Sequence, residues 1–160
     1  MKQSGYTIIE LLIYLAVFGL LSVVLINTVL LTGRAFRDAR VSRAGNAAAG
    51  EALERMIREI RFADSLDEGA SVFDASPGIL KLNSIDPFTE TAQTITFALN
   101  GGRITIKKNT EAPVDLTPSN IAVTNFVFRR VVSDKSQAVK IEITVGGVNF
   151  FSSAILRRSY

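Results

Sequence analysis

Residues 5–33 read GYTIIELLIYLAVFGLLSVVLINTVLLTG, and this stretch decides how the rest of the chain is built. From Leu11 to Gly33 there are 23 consecutive residues without a charge, mostly Leu, Ile and Val. As a helix rising about 1.5 Å per residue, the run spans roughly 35 Å, enough to cross a bilayer core of about 30 Å. A secretory signal peptide has a shorter apolar core, about 7–15 residues, followed by a cleavage site. Here the run is longer, and the helical pattern continues from Arg34 to Ala63. The segment therefore predicts a membrane-spanning helix. A plain, uncleaved signal anchor has the same length, so length alone leaves a signal-anchored receptor domain open.

Two details around the run go further. Glu10 is the only charge between Lys2 and Arg34, and it lies where the apolar stretch begins. A carboxylate near hydrocarbon costs on the order of 2–4 kcal/mol and so tends to have a partner. Ahead of it, Met-Lys-Gln-Ser-Gly is a short polar leader that ends at Gly5, directly before Tyr6-Thr7-Ile8-Ile9-Glu10.

The stretch Gly5-Tyr6-Thr7-Ile8-Ile9-Glu10-Leu11-Leu12 resembles the class III signal of type IV prepilins and pseudopilins. That signal has Gly before the cut, an aromatic residue after it and Glu as the fifth mature residue. The resemblance implies cleavage between Gly5 and Tyr6 by a prepilin peptidase on the cytoplasmic side, and N-methylation of Tyr6. It implies three kinds of partner: the peptidase, other pilin or pseudopilin subunits, and an inner-membrane assembly platform. It also gives Glu10 a role in assembly register. Cleavage leaves a free α-amine, mostly protonated at neutral pH, and methylation keeps its charge. In the family, the Glu carboxylate is thought to meet the amine of a neighbouring subunit. Pairing Glu10 with its own Tyr6 amine, or with the positive end of its own helix, is the alternative.

Orientation pits two signals against each other. The leader places the N-terminus in the cytoplasm and the rest of the chain outside the inner membrane. Arg34, Arg37, Arg40 and Arg43 follow the run with Asp38 as the one opposing charge, and a positive-inside bias would place them in the cytoplasm. The leader carries more weight, because a cytoplasmic cleavage signal has no use outside. The arginines then form a winding basic stripe facing solvent, headgroups or acidic neighbours.

Beyond the membrane half, Leu53, Met56, Ile57 and Ile60 recur at the spacing of one helix face. Glu51 with Arg55, and Glu54 with Arg58, are i,i+4 pairs on the other face. One continuous helix from Tyr6 to Phe62 is expected. Unlike many major pilins, its apolar half has no proline. Gly45-Asn46-Ala47-Ala48-Ala49-Gly50 is either a bend or a place of close packing. The segment 64–160 reads as β-rich. Thr94–Leu99 and Arg103–Lys107 alternate around Asn100-Gly101-Gly102, a hairpin signal. Ile121–Val132 is a long strand whose apolar phase shifts between Val123 and Phe126, as a bulge would cause. Val139–Val145 and Val148–Leu156 flank Gly146-Gly147 as another pair.

The expected fold is therefore α+β, a long N-terminal helix packed on a C-terminal antiparallel β-sheet head. Residues 1–5 form a leader, 6–33 the transmembrane and assembly half, 34–63 the amphipathic half and 64–160 the extracytoplasmic head. Ala52-Leu53-Glu54-Arg55, Arg58–Ala63, Thr94–Phe97 and Ala154–Arg158 look similar to J-type minor pseudopilins and W-type minor pilins. That likeness implies a structural subunit of a type II secretion pseudopilus or a type IV pilus.

Composition narrows the chemistry. The 160 residues contain neither Cys nor His, which removes disulfides, thiolate or imidazole metal sites and histidine-assisted nucleophiles. No P-loop, dinucleotide or glycosidase arrangement appears, so no enzymatic activity, catalytic residue, cofactor or metal is expected. Asp64, Asp67, Glu68 and Asp74 cluster after the helix but lack the spacing of a calcium loop. A net charge of +3 is no footprint of nucleic-acid binding. Lys107-Lys108, Arg129-Arg130 and Arg157-Arg158 are the phosphate contacts a DNA-uptake or adhesion pilin would use, yet few aromatics accompany them, which weighs against nucleic acid.

Overall fold

A computed structural model of the protein describes residues 7–133 and 136–156. Gly5 and Tyr6, the expected cleavage and methylation positions, and Arg157-Arg158 lie outside them. The chain divides into two units, Met1–Val41 and Ser42–Tyr160. A single helix, α1 (Ile8–Phe62, 55 residues), runs where the uninterrupted pattern predicts one.

In the first unit the large apolar side chains from Ile8 to Leu31 are all exposed. Hydroxyls inside the run are satisfied locally. Ser22, Thr28 and Thr32 each donate to the carbonyl four residues back, Phe18, Val24 and Thr28, at 2.8 Å. This is how a helix carries Ser and Thr through hydrocarbon without orphaned donors.

In the second unit, Gly45, Ala48, Ala49, Ala52, Leu53, Met56 and Ile60 are buried. Gly45, Ala48 and Ala49 serve close packing, with α1 unbroken through 45–50. A Cβ on Gly45 would come within 3.3 Å of Val145 Cγ1. One expectation is corrected here. Arg55 pairs with Glu59 at 2.8 Å, and the Glu51–Arg55 and Glu54–Arg58 pairs are not formed. The Glu59 side chain is only 13% exposed, so the pair forms where water screens it less.

Among the described residues eight strands follow, all in antiparallel pairs. β1 (Ser65–Leu66), β2 (Leu80–Ile85), β3 (Ala92–Asn100), β4 (Arg103–Lys108) and β5 (Val114–Asp115) form one sheet in chain order. β6 (Val123–Ser133), β7 (Ser136–Val145) and β8 (Val148–Ile155) form another. The β3–β4 hairpin closes at Asn100↔Arg103, and the β7–β8 hairpin at Val145↔Val148. Both turn residues have positive φ in each, 56° and 75° at Gly101-Gly102 and 57° and 81° at Gly146-Gly147. Paired positive φ is the requirement of a type I′ turn, which glycine meets without a steric penalty. The β6–β7 register shifts between Val123 and Asn125, the bulge that the apolar phase predicts.

Among the described residues the head is antiparallel β as expected, its strands divided between two sheets. Leu116 N–H donates to the Ile104 carbonyl at 2.7 Å, and the buried Thr117 hydroxyl accepts from Ile104 N–H at 3.0 Å. These bonds, with β5, occupy the outer edge of β4, so β6 begins a new sheet. Core-facing residues of both sheets, among them Leu82, Phe97, Phe128 and Ile141, join Met56 and Ile60 of α1 in one buried cluster.

Candidate functional site

The first turn of α1 is built around Glu10. The Thr7 carbonyl accepts from the N–H groups of Glu10 at 3.1 Å and Leu11 at 3.2 Å. Glu10 thus lies in the first turn, where the helix presents its positive end. One turn later Tyr14 points back, its hydroxyl donating to Glu10 Oε1 at 3.1 Å. A hydroxyl solvates a carboxylate but does not neutralise it. Among the described residues, Glu10 has no cationic partner. Asn27, further along the run, likewise has no hydrogen-bond partner for its carboxamide among the described residues.

Arg34, Arg37, Arg40 and Arg43 are all exposed and, like Asp38, make no ion pair among the described residues. Phe36 stands within this stripe, 68% exposed. α1 is the one described helix long and apolar enough to cross a membrane.

Residues 1–26 match the prokaryotic N-terminal methylation motif. Over that segment the chain is similar to proteins carrying the motif. The match takes in Gly5, Tyr6 and Glu10. Together with the exposed apolar helix it fits a membrane-anchored protein. No curated protein and no solved structure matches the chain.

The C-terminal unit places its loop acids against basic side chains. Asp67 pairs with Lys81 at 2.9 Å and accepts from Ala70 N–H at 3.2 Å. Glu68 pairs with Arg130 at 2.6 Å, and Asp74 with Arg129 at 3.2 Å. Arg129 also bonds Glu142 at 3.0 Å, and Lys140 reaches the same carboxylate at 3.0 Å. The Lys81 hydrogen bond holds the Asp67 carboxyl below its ordinary pKa, and the Arg129 and Lys140 bonds do the same to Glu142. No group of three or more acids is placed to hold a metal ion among the described residues.

Two features escape a reading of the sequence. The Tyr14–Glu10 bond has a signal, the i,i+4 spacing, but tyrosine in an apolar run reads first as a membrane residue. The second is a cleft beside the end of α1, lined by Phe62, Ile85, Asp86, Glu90 and Gln93. Only the amphipathic phase hints at it, since Phe62 falls off the buried face of the helix.

Proposed function

We propose that the protein is a structural subunit without enzymatic activity, a minor pseudopilin or minor pilin. Its leader, residues 1–5, is removed between Gly5 and Tyr6, and Tyr6 is N-methylated. Residues 6–33 anchor it in the inner membrane with the N-terminus cytoplasmic, and they become its assembly surface. Residues 34–63 complete the helix, and 64–160 form the extracytoplasmic head. An inner-membrane platform and other pilin-like subunits are its partners.

The observation that carries this reading is the state of Glu10. Among the described residues its carboxylate has a hydroxyl for company and no cation, on the part of α1, Ile8 to Leu31, whose large apolar side chains are all exposed. A charge and a surface in that condition both call for neighbours. The methylated amine of an adjacent subunit supplies the missing charge and fixes the axial register, since either charge alone is expensive in an apolar bundle. Asn27 adds a second unmet demand, because carboxamides in membrane helices bond across to other helices. In the head, Arg129 and Arg130 are committed to Glu142, Asp74 and Glu68, which argues against their use as phosphate contacts for DNA.

Mass spectrometry of the membrane form tests maturation. The expected terminus is N-methylated Tyr6, and an intact Met1 would exclude it. Glu10→Leu is expected to leave cleavage in place and to reduce incorporation into filaments or complexes at least tenfold. Normal incorporation of the processed variant would remove the register role.

A further inference from the structure

At the end of α1 the core-facing side of the sheet changes character. β2 and β3 bury Leu82 and Ile95, but one step further, at the Ser84↔Gln93 pair, both residues are polar and still buried. Ser84 Oγ donates to the Phe62 carbonyl at 3.3 Å. Gln93 is only 6% exposed, and among the described residues its carboxamide has no hydrogen-bond partner. Gln93 lines an open cleft of about 650 Å³ whose walls include Phe62 and Ile85. Phe62 is 60% exposed and Ile85 42%, so the floor is apolar and uncovered.

The rim is acidic. Asp86 and Glu90 face the cleft together with Glu59, which Arg55 already engages, and no basic residue lines it. The rim is also ordered. Asp86 Oδ1 accepts from Phe88 N–H at 2.8 Å and Thr89 N–H at 3.2 Å, and the Asp86 carbonyl accepts from Glu90 N–H at 2.9 Å. An apolar floor, a carboxamide open to the cleft and two carboxylates specify a ligand. It must bring an apolar side chain flanked by cations.

The chain carries such a segment. Phe36 and Arg40 are one helical turn apart, with Arg37 beside them, and all are exposed without ion pairs among the described residues. Resting on the assembly named above, we propose that the cleft takes the Phe36–Arg40 face of a second copy of this chain. Phe36 lies over Phe62 and Ile85, and Arg37 and Arg40 meet Glu90 and Asp86. Gln93 then finds a guanidinium or backbone partner. Because the two patches are different, the contact is heterologous, joining copies head to tail rather than as a symmetric pair.

The absence of cysteine permits a direct test on the full-length chain in membranes of cells that process it. Ala39→Cys and Thr89→Cys, both at exposed positions, are placed in separately tagged copies and oxidised. The mixed disulfide is expected to exceed both like-with-like dimers, and a mixed control with Thr110→Cys, at least tenfold. Glu90→Arg is expected to lower it tenfold, and Arg40→Glu in the other copy to restore it. A mixed yield no higher than the control overturns the proposal, as does failure of the charge exchange to rescue. So does a cross-link from Thr89→Cys to a protein of different mass without the mixed species. The N-terminal mass in the same sample reads maturation separately. A methylated Tyr6 terminus without the mixed species sinks the cleft proposal alone. An uncut Met1 sinks the functional reading whatever the cross-link shows.

Discussion

Gly78 donates its N–H to the Phe126 carbonyl at 2.7 Å, and a Cβ there would stand 3.1 Å from that oxygen and 3.2 Å from Phe128 Cδ2. Neither a strand carbonyl nor a ring in a close-packed core retreats freely. Gly78→Ala is therefore expected to destabilise by about 1–3 kcal/mol. The check is a lower urea midpoint at unchanged slope, and an unmoved midpoint would show that the loop yields. Glu142 makes a prediction in pH. Its hydrogen bonds from Arg129 and Lys140 hold its carboxyl below the ordinary 4.5. The unfolded chain then binds more protons in acid, so this stabilisation is full above 4.5 and fades as pH falls through the lower folded value. The Tm gap between the native chain and Glu142→Gln is expected to be widest near neutral pH and to close in acid. A gap that persists in acid would mean the side chain acts through shape. Exposure and salt keep the effect small. Glu10 is legible from sequence because its oddity is local, one charge beside hydrocarbon. Gly78 is not, because the atoms that crowd it belong to Phe126 and Phe128.

Within α1, two glycines separate packing from propensity. A Cβ on Gly50 meets nothing within 4 Å, whereas on Gly45 it meets Val145 Cγ1 at 3.3 Å. Gly50→Ala should stabilise by about 0.5–1 kcal/mol, the helix-propensity difference. Gly45→Ala should gain less than half of that, because contact with Val145 offsets it. Thermal unfolding of both variants decides, and equal gains would place Gly45 off the packed face. Among the strands, the β3–β4 and β7–β8 hairpins are readable because Gly-Gly turns are local chemistry. The bulge in β6 is readable because it shifts an alternating pattern. β1 and β5, two residues each, are not, since pairing with Leu82–Asn83 and with Thr105–Ile106 alone makes them strands.

Across the whole molecule, hydrophobic residues play two roles. Every buried apolar residue lies at or after Ala48, while exposed ones crowd Ile8–Leu31. Among the described residues, the buried cluster is made of residues from Ala48 onward. A chain starting at Ser42 is expected to be soluble and to unfold cooperatively, while the full chain requires detergent. Size-exclusion chromatography with circular dichroism checks this, and an aggregated or unfolded fragment would show that the first unit supports the second.

By itself, the sequence determined the apolar helix, its lone acid, the processing motif, the amphipathic face and the glycine turns. Each is written in near neighbours, through hydropathy, helical or strand period and positive-φ chemistry. Only the tertiary structure decided that the strands split into two sheets and that Arg55 takes Glu59. It alone showed that the loop acids meet Lys81, Arg129 and Arg130, and that Gln93 opens onto a cleft beside Phe62. Those outcomes depend on which distant residues share a dry space, and charge pairing and burial are settled there rather than along the chain.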